Sequence, residues 1–134
     1  LTTRLVEALH SRRYDLIVCN IANGDMVGHT GVWPAALAAA QAVDVALGTI
    51  VAAVRSIGGE ALITADHGNI EQMVDADGEP HTQHTVGPVP VVLVGRAAQL
   101  RHGALCDLAP TLLQLLDLPQ PAEMSGRSLI VGAA

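Results

Sequence analysis

The chain has 134 residues, half of them hydrophobic, with no Phe, a single Trp and a single Tyr, and a formal charge of −6. This is one ordinary domain's worth of sequence, and its core must be aliphatic and alanine-rich. The acidic balance supplies no basic patch, so nucleic-acid binding has no electrostatic support.

The opening, LTTRLVEALHSRRYD, is polar and amphipathic, unlike a secretory leader, and the absence of an initiator Met predicts a piece of a longer product. Residues 2 to about 12 read as a helix with Leu5, Val6 and Leu9 on one face. YDLIVCNIA (14–22) reads as a strand buried on both faces. Pro34 fits the first turn of a long, mostly buried helix running to about Ile57, where Gly58-Gly59 ends it. No apolar run reads as long enough to span a bilayer, so no membrane partner is expected.

GEALITAD (59–66) reads as a second buried strand, and DADGEP (75–80) as a surface turn. PVPVVLVG (88–95) is a third strand, with Pro88 and Pro90 at its opening. CDLAPTLLQLLDLP (106–119) is a helix stopped by Pro119, and EMSGRSLIVGAA is an extended tail that docks. Cys19 and Cys106 lack paired spacing and read as buried thiols of a reducing, cytoplasmic setting. Strands alternating with helices predict an α/β fold with a mostly parallel sheet flanked by helices, although the strands are too few for a whole domain of that kind.

Chemistry-bearing residues gather at strand ends. NGDMVGHTG (23–31) places Asp25 and His29 after the first strand, and TADHGN places Asp66 and His67 after the second. Ligands in open α/β sheets collect beyond those ends. HTQHT (81–85) precedes the third strand, so strand 88–95 must run antiparallel to bring His84 to the same rim. The predicted cluster is Asp25, His29, Asp66, His67 and His84, with His81 as a spare. Carboxylate plus imidazole suits Mn²⁺ or Zn²⁺, and Mg²⁺ less well. Five donors exceed what one open tetrahedral site needs and fall short of filling two sites, so further ligands must come from elsewhere. Singly, each piece has a structural reading: Asp25 as a turn cap, His29 as a loop histidine, Asp66-His67-Gly68 as a turn, HTQHT as a solvated loop. Their convergence on one edge favours a metal centre. His10, His102 and Asp44 read as surface residues.

NGDMVGHTG, TADHGN, HTQHTVGPVP and DLAPTLLQLLDLPQPAEMSGRSLI together closely resemble the cofactor-independent (2,3-bisphosphoglycerate-independent) phosphoglycerate mutases of the alkaline phosphatase superfamily. The resemblance runs from about Tyr14 to Ile130, and DMVGHTG is its most specific part. It implies a partial alkaline-phosphatase-like three-layer sandwich. It also implies isomerase activity interconverting 3-phosphoglycerate and 2-phosphoglycerate through a phosphoserine, in glycolysis and gluconeogenesis. The implied cofactors are two Mn²⁺ ions (Mg²⁺, Co²⁺ or Zn²⁺ in some members), with Asp25, His29 and His84 on one and Asp66 and His67 on the other. Gly87 stands where related sequences often carry Asn.

The family's serine nucleophile and its phosphate-gripping basic residues have no counterpart here; Ser11, Ser56, Ser125 and Ser128 adjoin none of the ligand strings. The resemblance therefore implies that residues 1–134 form the C-terminal portion of the metal-binding domain, without the nucleophile segment and substrate domain. Such a piece is expected to bind metal weakly, to be inactive alone, and to self-associate through uncovered apolar surface, whereas the full-length enzyme is expected to be monomeric. The competing readings are another enzyme of the superfamily, such as a phosphopentomutase, phosphatase or sulfatase, and a non-catalytic metal-binding α/β module.

Overall fold

The computed structural model describes residues 1–133. Helix α1 (Thr2–Ser11) ends at Arg12 in a left-handed conformation, φ 51°. Helix α2 (Asn23–Gly28) holds most of the first ligand string, and helix α3 spans Trp33–Ser56 with Pro34 in its first turn. α3 stops as the glycine pair predicts. Gly58 takes φ +67°, its N–H reaches Arg55 O at 3.1 Å, and the Gly59 N–H reaches Val54 O at 2.9 Å, which satisfies carbonyls that a bare helix end leaves open.

Strand β1 (Ala61–Thr64) pairs antiparallel with β2 (Val91–Val94), Ala61 opposite Val94 and Thr64 opposite Val91. This is the direction the ligand argument requires of segment 88–95. Pro88 and Pro90 lie before the paired residues, where their missing N–H costs no ladder bond; the Thr64 hydroxyl donates to Pro90 O at 2.9 Å. The tail docks as expected: β4 (Ile130–Ala133) pairs antiparallel with β3 (Ala98–Leu100), with an irregularity at Gln99/Leu100. The α/β class stands, and both pairings among the described residues are antiparallel.

Five expectations need correction. Residues 14–22 form no strand, and Tyr14, Leu16 and Val18 are exposed. A strand buried on both faces needs neighbours on its edges and a layer over each face, and none of the described elements pairs with this segment. Cys19 lies within it and is exposed, as is Cys106, so neither is a buried packing thiol.

The buried positions of α3 are Ala36, Ala39, Ile50, Ala53 and Val54 only. That face packs on α1 and α2, while Leu37 and Val45 on other faces are exposed. α3 also proves long and apolar enough, by length and composition, to cross a membrane: 24 residues, with a mean hydropathy of 1.9 over an 18-residue stretch. Isolated polar residues such as Gln41 and Asp44 interrupt the apolar run without lowering that mean much. The packing of α3 on α1 and α2 is that of a layer helix.

Pro119 does not stop the last helix. A 3-10 turn (Leu105–Asp107) leads into α4 (Leu108–Leu115). Asp117 then takes φ 53°, its N–H bonds Gln114 O at 3.2 Å, and the Leu118 N–H bonds Leu113 O at 2.9 Å. A Schellman turn therefore closes the helix before the proline.

Asp107 staples the C-terminal part. It is 6% exposed, and its carboxylate accepts from the Arg127 N–H at 2.9 Å, the Ala104 N–H at 3.1 Å and Arg101 Nη2 at 3.0 Å. The two backbone donors, with the Arg101 guanidinium, hold its pKa down at about 2. Thr111, fully buried, donates to Asp107 O and accepts from the Leu129 N–H, so the tail is fastened to α4 through the same residue.

Candidate metal centre

The four-residue spacing of Asp25 and His29 is one helical turn. α2 presents Asp25 within the helix and His29 at its C-cap, on one face. The antiparallel β1–β2 pair brings the loop after β1, with Asp66 and His67, beside the loop before β2, with His84. A further bridge, Gly68 to Thr85, fastens the two loops together.

Asp25 Oδ1 is the meeting point. His84 Nε2 lies 3.1 Å from it, His29 Nε2 3.2 Å and His67 Nε2 3.9 Å. The His29 and His84 Nε2 atoms are 3.2 Å apart, and the His67 ring stacks on that of His84 with centroids 3.7 Å apart. Asp25, His29 and His84 thus form a triangle of donor atoms. Asp66 stands aside: its side chain is 83% exposed, and its carboxylate comes no nearer than 3.7 Å to His67 Nε2. Of the five residues singled out, four converge and Asp66 lines the open side. His81 is held by its backbone N–H on Met73 O at 3.0 Å, and its Nδ1 is buried without a partner.

Tautomers follow from the backbone. His29 Nδ1 lies 2.8 Å from Thr82 O and His67 Nδ1 lies 3.2 Å from Gly68 O. A carbonyl only accepts, so each Nδ1 carries the proton, and each ring, when neutral, turns its Nε2 lone pair toward Asp25. Lone pairs facing a carboxylate oxygen repel unless a proton or cation lies between them. The spacing suits a cation. Donors about 2.1 Å from one divalent ion stand roughly 3.0 Å apart at right angles and roughly 3.4 Å apart at tetrahedral angles, and the triangle's edges fall between these values.

Sequence reasoning missed Asn69. Its Nδ2 donates to Asp25 Oδ1 at 2.8 Å. That bond is the largest influence lowering the Asp25 pKa, followed among the lowering influences by the positive potential of His29, His84 and His67 and opposed by partial burial. Asp25 is thereby kept ionised well into the acid range. The legible signal was the position of Asn69, two residues after His67 in TADHGN, although an amide at a loop end has many ordinary uses.

The serines lie elsewhere. Ser11 and Ser56 donate to helix carbonyls of their own helices, and the Ser128 hydroxyl accepts from the Ile130 N–H in the tail. Arg101 is engaged by Asp107, so it is not a free cation beside the cluster.

Comparison with known proteins agrees with this picture. A family profile described as Metalloenzyme superfamily matches residues 1–120. The chain is similar to the 2,3-bisphosphoglycerate-independent phosphoglycerate mutase of Hahella chejuensis, at 57% identity over 97% of this chain and 26% of that protein. Its similarity to the protein of that name from Rhodopseudomonas palustris is 61% over 95% of this chain and 25% of the relative. Among solved structures it resembles Leishmania mexicana phosphoglycerate mutase, studied at low cobalt concentration, with a TM-score of 0.86 and 35% identity over 97% of this chain and 27% of that one. That likeness agrees with the alkaline-phosphatase-like architecture expected from the sequence. The chain spans about a quarter of the length of these relatives. With the profile covering most of its length, the chain belongs to the Metalloenzyme superfamily, whose members use metal ions.

Proposed function

We propose that this chain carries the metal-binding portion of a 2,3-bisphosphoglycerate-independent phosphoglycerate mutase. In the complete protein it would serve the interconversion of 3-phosphoglycerate and 2-phosphoglycerate through a phosphoserine, with two Mn²⁺ ions. The observation that carries the reading is the convergence of Asp25, His29, His67 and His84 on one carboxylate oxygen, in a chain so similar to mutases of that name. Bound divalent ions supply charge neutralisation at a transferring phosphoryl group and lower the pKa of a hydroxyl nucleophile.

The chain's own residues prepare for this. Asp25, held ionised, contributes the negative charge. His29 and His84 complete a first site through their Nε2 atoms, with the His29 tautomer fixed by Thr82 O. His67 and the exposed Asp66 face the open side, where they form part of a second site that needs donors from outside residues 1–134. Splitting one transfer between two hydroxyls into two steps requires a nucleophile, and no serine touches the cluster among the described residues. We therefore read residues 1–134 as inactive alone, with nucleophile and substrate grip supplied elsewhere in the protein. The unbonded thiols Cys19 and Cys106 agree with a reducing, cytoplasmic setting.

The test is Mn²⁺ titration of this chain beside its His84→Ala variant. Saturable binding lost in the variant is the expected result. Binding that survives His84→Ala unchanged would refute the site, and turnover of 3-phosphoglycerate by these residues alone would refute the division of labour.

A further inference from the structure

The ligands come from three stretches distant in sequence, and a single polar thread ties these stretches together through residues that are not ligands. Asn69 is 6% exposed. Its Nδ2 donates to Asp25 Oδ1 at 2.8 Å, and its backbone N–H donates to Glu71 Oε2 at 2.7 Å. The other oxygen of Glu71 accepts from the Thr85 hydroxyl, and the Thr85 N–H donates to Gly68 O at 2.9 Å. The thread therefore starts at Asp25 on α2 and passes through the loop of His67. It ends at the residue next to His84.

Two glycines inside the ligand strings make room for it. A Cβ on Gly28 would overlap the Asn69 amide, and a Cβ on Gly68 would overlap both the Glu71 carboxylate and the Thr85 hydroxyl. Gly28 has no positive φ that would otherwise demand glycine. Close approach accounts for it, and the approaching group is the one that grips Asp25.

We propose that Asn69, Glu71 and Thr85 are positioning residues of the metal centre: Asn69 fixes the Asp25 carboxylate, and the Glu71–Thr85 contact holds the loop of His84 against the loop of His67. The inference rests on the metal-centre reading above. Loops left untethered must be ordered when the ion binds, at a cost in conformational entropy, and residues that orient metal ligands commonly alter affinity 10–100-fold.

The experiment is a Mn²⁺ titration, with free Mn²⁺ read by electron paramagnetic resonance, on this chain and on Asn69→Ala, Glu71→Gln, Thr85→Val and Thr85→Ser. Metal-free unfolding of each is measured alongside. Asn69→Ala, Glu71→Gln and Thr85→Val are expected to bind about 10–100-fold more weakly, with Thr85→Ser within about threefold of the parent because it keeps the hydroxyl. Glu71 is exposed, so Glu71→Gln is expected to keep the parent's metal-free unfolding midpoint and to remain readable even where Asn69→Ala fails to fold. Parent affinity in Glu71→Gln overturns the proposal, as does a loss in Thr85→Ser equal to that in Thr85→Val. A parent chain that takes up no Mn²⁺ overturns the metal-centre reading and this inference with it; a parent that binds beside unaffected variants overturns this inference alone.

Discussion

Gly28→Ala sets two physical effects against each other at the centre of the site. Gly28 is buried and is the last residue of α2. Helix propensity alone favours alanine there by up to about 1 kcal/mol. Against this, the new methyl group would stand 2.7 Å from Asn69 Cγ and 2.8 Å from Ile70 Cγ2, closer than carbon atoms approach. Overpacking of this kind costs about 1–3 kcal/mol, so a net loss of about 1–2 kcal/mol is expected. With an unfolding entropy of ~2.1 cal/mol/K per residue, the 134-residue chain has ~0.28 kcal/mol/K, and Tm should fall by about 4–7 °C. Relief of the clash turns the Asn69 amide away from Asp25, so Mn²⁺ affinity should fall as well. The assays are thermal unfolding followed by circular dichroism at low micromolar concentration without metal, and Mn²⁺ titration. An unchanged or raised Tm with parent affinity would show that propensity wins, and that Asn69 is not wedged between Gly28 and Asp25 as described.

Asp107→Asn should destabilise the C-terminal part, by removing the charge that Arg101 and two backbone N–H groups converge on. Because the folded carboxylate sits near pKa 2 against 3.8 for a free aspartate side chain, its stabilisation is complete above about pH 4 and is lost as pH falls through about 2. The difference between parent and variant should therefore be flat from pH 7 to about pH 4 and shrink below that; a difference that vanishes already at pH 5 would contradict the assignment. Dilution series followed by light scattering should show self-association of the isolated chain through apolar residues left open on α3 and residues 14–22, and a monomer at all concentrations would count against it. Both thiols, being exposed, should react with a thiol reagent in the folded state, whereas reaction of either only on unfolding would restore a buried-thiol reading.

Local patterns in the sequence are enough to place the elements whose stability is largely internal. The helices Thr2–Ser11 and Trp33–Ser56 follow from apolar periodicity, Pro34 and the Gly58-Gly59 stop, because helix bonds close within the segment. The antiparallel sense of the β1–β2 pair follows from requiring His84 to reach Asp25, and the structure pairs the strands that way. The gathering of Asp25, His29, His67 and His84 was legible too, since each lies in a polar string beside an apolar run, although the run before Asp25 forms no strand.

Tertiary structure alone decided what depends on neighbours. Residues 14–22 have strand composition, but a strand's bonds are made to other segments, and among the described residues none pairs with this one. The apolar face of α3 predicts burial, yet only the side meeting α1 and α2 is covered. Asp66 looks equivalent to Asp25 in sequence, but its carboxylate points to the open side. Asn69, Glu71 and Thr85 are ordinary loop residues until the fold brings them together, because a hydrogen-bond thread that joins one helix and two loops has no signature in any one of them. Composition and periodicity encode what a segment bonds within itself; which groups meet across the molecule is set by packing.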